Sequence, residues 1–413
     1  MINLYIFNES SPAAVFGIGT YIRELTAALK GSEINVCVVH LRSEKPDMEM
    51  KETDGIQHLH IPLYINRNVT LGWQRQNELY YQNVVYLLQL QIKATNKLVF
   101  HLNYLNCKSL ADSLKKVFDC KTVLVVHYLD SIMTLLGNIS RLRRIISQPN
   151  ELKNAEEISV KESYSQEKEI LQCHAVDKVI CLSNHAFDML HQVYQKEKEK
   201  MVVIYNGLTY NPSIMDKQTL RKKYHIPDIP IILFVGRLQE AKGLIYLIKS
   251  FRKLRKKIPD CHLLIVGNGN YDTYMHEAKD ICMNITFTGL LEKKELCELY
   301  QIADVGVIPS FTENCSYVGI EMMMHGLPML TTTAPGLSEM IEDGINGLQI
   351  SIKEHSDRME IDSEVLADKM LYLLEHPEKT KRLGENARKR YEELYSGDVF
   401  RKNMLDFYHS LYE

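Results

Sequence analysis

The sequence predicts an α/β protein of two doubly wound, Rossmann-like domains, and three observations carry that prediction. The chain has 413 residues, more than one ordinary core accommodates. Runs rich in Val, Ile and Leu alternate with helix-like segments, and the runs are continuous, the pattern of parallel strands covered on both faces. The alternation halts at Asn206-Gly207 and crosses a stretch, Tyr210 to Pro230, with three prolines and the basic cluster Arg221–His225. It then restarts. The first domain is therefore expected over residues 1–207 and the second over 208–396.

In the first domain, strands are expected at Ile2–Phe7, Ile34–Leu41, Ile56–Pro62, Lys97–Tyr104, Lys121–Tyr128, Asp177–Ser183 and Val202–Gly207. A long loop after the first strand leads to a helix from Gly19 to Lys30, and Trp73 to Lys93 reads as a long amphipathic helix. Asp130 to Glu169 is polar and charged, with the basic run Arg141–Arg144, and reads as a helical excursion beside the sheet. In the second domain, strands are expected at Ile231–Val235, His262–Val266, Ile285–Thr288, Val305–Pro309 and Met329–Thr332, each followed by a helix-like segment. A last helix, Val399 to Tyr412, has apolar residues at helical spacing. Two such domains facing each other would put their strand carboxyl ends on a common cleft, where open parallel sheets bind ligands.

Composition removes several classes of function. The formal net charge is −3, which argues against a dedicated nucleic-acid binder. No apolar run reaches the roughly 18 residues that span a bilayer. The first strand starts at once, which is read as leaving no room for a signal peptide. The nine cysteines are scattered, with no C-x-x-C pair, as expected of reduced thiols in a cytoplasm. The basic runs Arg252–Lys257 and Lys196–Lys200 read as solvated helix faces, with peripheral contact at the inner membrane face as the alternative.

The stretch Ser310 to Pro328 holds the main chemical signal. The strand Val305–Pro309 empties into a polar loop, Ser310–Asn314. A helix then starts near Cys315 or Ser316, runs to His325 and is stopped by Gly326. Glu313 and Glu321 bracket the helix start, with seven residues between them. A strand that ends in a helix N-terminus presents backbone N–H groups and the positive end of a dipole, an anion site. Glu313 would sit at its rim, and Glu321 would point to a neighbouring pocket. A glutamate in so apolar a helix needs a polar partner.

Other residues fall at the same kind of position. Gly236-Arg237 ends the first strand of the second domain, Lys242 lies five residues on at the next helix start, and Gly243 allows close backbone approach. Two cations at a sheet mouth suit a diphosphate. Gly267-Asn268-Gly269 and Thr288-Gly289-Leu290 end further strands and could pass beneath a flat base. Phe16–Ile22 reads as a glycine loop bringing the N–H groups of Gly17 and Gly19 to a phosphate or sugar. It does not fit the dinucleotide fingerprint, because nine residues separate Phe7 from Gly17 and Ile22 takes the third glycine position. His127 closes its strand at the ligand edge, and His101 closes the preceding one as a weaker candidate. Ser183-Asn184 and Tyr205-Asn206-Gly207 read as turn chemistry, and Glu339 as structural.

Together these residues resemble the family-four retaining glycosyltransferases of the GT-B fold. The resemblance is carried by Gly236–Gly243, Val266–Asn270, Thr288–Leu291, the segment Thr312–Pro328 with its paired glutamates, and Pro335–Leu348, and more loosely by the first-domain glycine loop, the His127 strand end and Val202–Gly207. It implies a nucleotide-diphosphate-sugar donor, with UDP-sugars favoured over GDP-sugars. It implies diphosphate on Arg237 and Lys242, ribose on Glu321, sugar hydroxyls on Glu313, and His127 near the donor sugar. Further donor contacts are implied at Gly17, Gly19, Gly267, Asn268, Leu290, Ser316, Tyr317 and Val318. It implies a last helix, about residues 397–413, crossing back onto the first domain. Asn314-Cys315-Ser316 stands where members often have Pro-Phe-Gly, so the contact to sugar differs. No D-x-D triplet occurs, and the cations and helix N-terminus would serve the leaving diphosphate with no metal or other cofactor. The acceptor, a glycan, lipid-linked sugar, peptide or small molecule, is left open. The alternatives are a sugar-nucleotide epimerase of the same fold and a non-catalytic binding relic.

Overall fold

The computed structural model describes residues 1–9, 17–63, 72–93, 97–209 and 215–413. The expected loop after the first strand, including Phe16, and the start of the proline-bearing stretch at Tyr210 lie outside the described residues. The described chain forms two compact units, one of Met1–Leu129, Glu162–Gly207 and Gly397–Glu413, the other of Asp130–Lys161 and Leu208–Ser396.

The first unit is built on an eight-stranded sheet in the order β3-β4-β2-β1-β5-β6-β7-β8. Its strands are β1 (Ile2–Glu9), β2 (Ile34–Ser43), β3 (Glu49–Thr53), β4 (Ile56–Pro62), β5 (Leu98–Leu102), β6 (Cys120–Val126), β7 (Lys178–Cys181) and β8 (Met201–Val203). All neighbours are parallel except β3, which pairs antiparallel with β4. Leu4, Ile6, Val38, Val99, Val123 and Val125 are buried in its core, as strands covered on both faces require. β3 has no counterpart in the sequence reading, because every residue of it is exposed and charged or polar apart from Met50. The helix Gly397–Ser410 belongs to this unit. Tyr412 donates to the Leu98 carbonyl at 2.8 Å, and the Arg401 guanidinium donates to the Ala28 carbonyl.

The second unit carries a parallel sheet in the order β11-β10-β9-β12-β13-β14. The strands are β9 (Ile231–Val235), β10 (His262–Val266), β11 (Ile285–Gly289), β12 (Val305–Ile308), β13 (Met329–Thr332) and β14 (Leu348–Ile350), followed by the hairpin β15 (Ile352–Glu354) and β16 (Met359–Ile361). Strand order reverses between β9 and β12, and doubly wound sheets bind ligands at the carboxyl ends of strands flanking such a reversal.

Asp130–Lys161 clusters with this second unit, whereas the sequence places it in residues 1–207. Long-range contacts decide the matter. Asn138 donates to the His355 carbonyl at 2.8 Å, and Leu136 packs on the second unit's core. Gly137, at φ +85°, lies so close to Phe311 that a Cβ there would be 3.1 Å from the Phe311 carbonyl oxygen. The basic run Arg141–Arg144 is held internally. Arg141 pairs with Glu156 at 2.7 Å, and Arg144 pairs with buried Glu157. The run Arg252–Lys257 is likewise paired in part: Arg252 meets Asp280 at 2.8 Å, Lys257 meets Asp368 at 3.0 Å, and Lys253 meets Glu364. Among the described residues no helix is long and apolar enough to cross a membrane.

Candidate active site

The reversal between β9 and β12 is where the second unit brings Lys242 and Glu313 together. β9 exits through Gly236-Arg237 into a short 3-10 turn, Glu240–Lys242, and then the helix Leu244–Arg255. β12 exits through Pro309 and the loop Ser310–Ser316 into the helix Tyr317–Met324. Gly243 joins the two exits. Its φ of +66° is left-handed, and a Cβ there would lie 1.9 Å from the Pro309 carbonyl oxygen. Only glycine fits such an approach. The N–H of Phe311 donates to the Ala241 carbonyl at 2.8 Å and fixes the register of the two loops.

This stitching places Lys242 against Glu313. The Lys242 Nζ lies 2.5 Å from the Glu313 Oε1, and the Ser310 hydroxyl donates to the same oxygen at 2.9 Å. Ser310 is itself held, since the Thr332 hydroxyl donates to its carbonyl. The Gly336 N–H donates to the Glu313 carbonyl at 2.9 Å, and a Cβ on Gly336 would be 2.0 Å from the Asn314 carbonyl oxygen. The loop is thus fixed from both sides, by β9's exit and by the segment after β13. Both side chains retain some exposure, 19% for Lys242 and 12% for Glu313, as groups that meet a ligand require.

The helix Tyr317–Met324 begins at Ser316, whose hydroxyl accepts from the Gly319 N–H at 3.3 Å. Ser316 is buried, while Tyr317 and Val318 are partly exposed. Glu321 sits one turn in, and its Oε2 accepts from the Tyr300 hydroxyl at 2.6 Å. Burial, and then the Glu321 carboxylate, push the Tyr300 phenol well above its ordinary range, so it stays a donor. His325 stacks on the Tyr300 ring at 5.1 Å, and its Nδ1 lies 2.8 Å from the Glu321 carbonyl oxygen. An acceptor at that distance requires Nδ1 to carry the proton.

Gly267 and Asn268 serve the neighbouring turn. The Asn268 carbonyl accepts from the Leu238 N–H at 2.9 Å, and a Cβ on Gly267 would be 1.9 Å from the Gly236 carbonyl oxygen. The exits of β9 and β10 therefore lie one on the other, with Arg237 between Gly236 and Leu238. Leu290, after β11, is 57% exposed. Glu339 stands in the short helix Pro335–Met340, where its carbonyl accepts from Arg390 at 2.8 Å.

In the first unit the strand order reverses between β1 and β5. Gly17 and Gly19 lie in the first turn of the helix Gly17–Leu29, which begins at Gly17 rather than at the expected Gly19. The first N–H groups of a helix lack intrahelical partners. His127 follows β6, and its Nε2 lies 3.0 Å from the Asn103 Oδ1. The Asn103 amide nitrogen donates to the Phe7 carbonyl at 3.0 Å, so the oxygen faces His127 and Nε2 must be the protonated nitrogen. Burial pushes the His127 imidazole down to about 3, so it is neutral. His101 is a core residue, with the Tyr408 hydroxyl 2.8 Å from its Nδ1 and the Tyr21 hydroxyl 3.4 Å from its Nε2.

The structure brings Lys242, Glu313 and Ser310 together, and separately Glu321, Tyr300 and His325. The sequence reading gives no role of their own to Tyr300, Gly336 and Asn103, and it names Ser310 only as the start of the polar loop. Tyr300, Gly336 and Asn103 act through contacts distant in sequence, whereas Ser310, close to Glu313 in the chain, carried a local signal.

The fold is of the two-domain, doubly wound α/β class, with Lys242 and Glu313 paired at the strand-order reversal of the second unit, and comparison with known proteins names the family. Residues 15–210 match the model of glycosyltransferase family 4, and residues 216–390 that of glycosyl transferases group 1. The chain belongs to these glycosyltransferases of the GT-B fold. An uncharacterised glycosyltransferase of Methanocaldococcus jannaschii is 31% identical over 194 residues, 44% of this chain and 49% of that relative. The chain thus spans about half the length of that curated relative. Sucrose-phosphate synthase from Thermosynechococcus elongatus superposes with a TM-score of 0.78 at 20% identity, over 100% of this chain and 99% of the other. The Anabaena HepE protein, solved in complex with UDP-glucose, gives a TM-score of 0.73 at 15% identity, over 99% of this chain and 100% of the other.

Proposed function

We propose that this protein transfers a glycosyl group from a nucleotide-diphosphate sugar to an acceptor hydroxyl, with retention at the anomeric carbon. The observation that supports it most is the pairing of Lys242 with Glu313 where β9 and β12 diverge. A cation and a carboxylate fixed at that point, beside the helix start at Tyr317, suit a sugar diphosphate. The diphosphate takes Lys242, Arg237 and the helix N–H groups, and the sugar hydroxyls take Glu313.

In the reaction the bond between the anomeric carbon and the diphosphate oxygen breaks as that carbon bonds to the acceptor oxygen on the same face. The acceptor's proton passes to the departing phosphate oxygen. Charge grows on the diphosphate as it leaves, so cations placed there act on the transition state and need no metal ion. Glu321 takes the ribose. Gly17, Gly19, Gly267, Asn268, Leu290, Ser316, Tyr317 and Val318 make further donor contacts. His127, neutral and held by Asn103, contributes a hydrogen bond to the donor sugar. UDP-sugars are the favoured donors, since the structurally similar HepE protein was solved with UDP-glucose.

The test is release of nucleoside diphosphate from UDP-glucose, UDP-N-acetylglucosamine and GDP-mannose, with water as default acceptor, and proton NMR of the sugar first released. One donor should be turned over, and its sugar should appear first as the α anomer. Conversion of a sugar nucleotide without release of diphosphate would mark an epimerase instead. No turnover and no binding of any donor would overturn the proposal.

A further inference from the structure

We propose that Tyr300 is a positioning residue that orients the Glu321 carboxylate for a vicinal diol, the ribose 2′- and 3′-hydroxyls of a bound nucleotide. The inference rests on the donor-site reading above and deepens it. Tyr300 lies on the helix Lys293–Ile302, which precedes β12, and is buried. Its hydroxyl donates to the Glu321 Oε2 at 2.6 Å. A carboxylate offers about four acceptor sites on two oxygens, enough for the Tyr300 donor that fixes the plane of the group and for a diol besides.

The phenol is held in its turn. His325 stacks on the Tyr300 ring with 28° between planes, and its Nδ1–H meets the carbonyl of Glu321 itself at 2.8 Å. Glu321 is thus gripped at both ends, by Tyr300 at its carboxylate and by His325 at its backbone. Its helix neighbours Ile320, Met322 and Met323 are buried. In such surroundings a carboxylate depends on its donors for its direction. The Tyr300 hydroxyl, a donor at every physiological pH, keeps it aimed. A diol is met equally in ground and transition states, so this contact acts on donor binding rather than on the chemical step.

The test is Tyr300→Phe, which keeps the ring and its stacking and deletes one hydroxyl. Binding of UDP and GDP is compared with binding of their 2′,3′-dideoxy counterparts by calorimetry. Wild type should prefer the ribose form of the nucleotide it accepts. The variant should bind that form about tenfold more weakly and bind the dideoxy form as wild type does. The variant's donor KM should rise with kcat nearly unchanged. Equal weakening of both forms would mean a merely structural role, and unchanged binding of the ribose form would mean no role; either overturns the inference while leaving the donor site standing. The double variant with Glu321→Gln adds a coupling test: its ribose preference should be no lower than that of Glu321→Gln alone, and a further fall would overturn the inference. Failure of wild type to bind any of the four nucleotides would overturn the donor-site reading and this role with it.

Discussion

The ammonium of Lys242 and the carboxylate of Glu313 stand 2.5 Å apart, although they come from loops after different strands. Each serves as the other's counter-ion. On the proposed function, a diphosphate would draw Lys242 away from Glu313 and release the carboxylate for sugar hydroxyls.

Glu313→Gln separates the two roles. Without the carboxylate Lys242 is no longer held, and nucleoside diphosphate should bind at least as tightly as in wild type. Transfer should fall by about 100-fold, because the sugar loses a charged hydrogen bond. Calorimetry with the diphosphate and a turnover assay with the matching donor check both halves.

Gly243→Ala should be among the most destabilising single changes at this edge. The position needs a left-handed backbone, and a methyl would meet the Pro309 carbonyl. The expected loss is about 2 kcal/mol or more, read from urea unfolding. Ala substitution at Gly17, where nothing lies within 4 Å of the added carbon, should cost far less.

Acid should weaken the fold through buried histidines. Burial, and then His127, push His101 down to about 3, and burial, then His60 and His58, push His40 down to about 4. An unfolded histidine takes up its proton near 6.5. As pH falls from there the unfolded chain binds protons that the folded chain refuses. The stability is fully present above about 6.5 and is lost progressively toward 3 to 4. For His101, which is wholly buried, the loss by pH 5 is on the order of 1–2 kcal/mol. Unfolding at pH 7 and pH 5 should show it, and His101→Gln should flatten the difference.

Much of this was legible in local sequence. The strands Ile231–Val235, His262–Val266 and Met329–Thr332 are found where the Val, Ile and Leu runs put them, because apolar continuity is what a strand covered on both faces requires. Lys242, Glu313 and Glu321 were legible because their spacing is set by strand–loop–helix junctions. The edge strand Glu49–Thr53 was not, since its charged, exposed residues match a strand that resists edge pairing and carry no apolar period. Asp130–Lys161 was misplaced because its anchors, Asn138 on His355 and Gly137 against Phe311, join residues far apart in the chain. Tyr300 sits in an ordinary amphipathic helix, and only the fold brings its hydroxyl to Glu321.

The central claim is a nucleoside-diphosphate site organised on Lys242. The most direct measurement is thermal unfolding of wild type and Lys242→Ala with UDP, GDP and ADP, with and without magnesium. One diphosphate at about 100 times its dissociation constant should stabilise wild type by about 2.7 kcal/mol without magnesium. The folded variant should lose that gain. An equal gain in both proteins, or no gain from any of the three, would contradict the account.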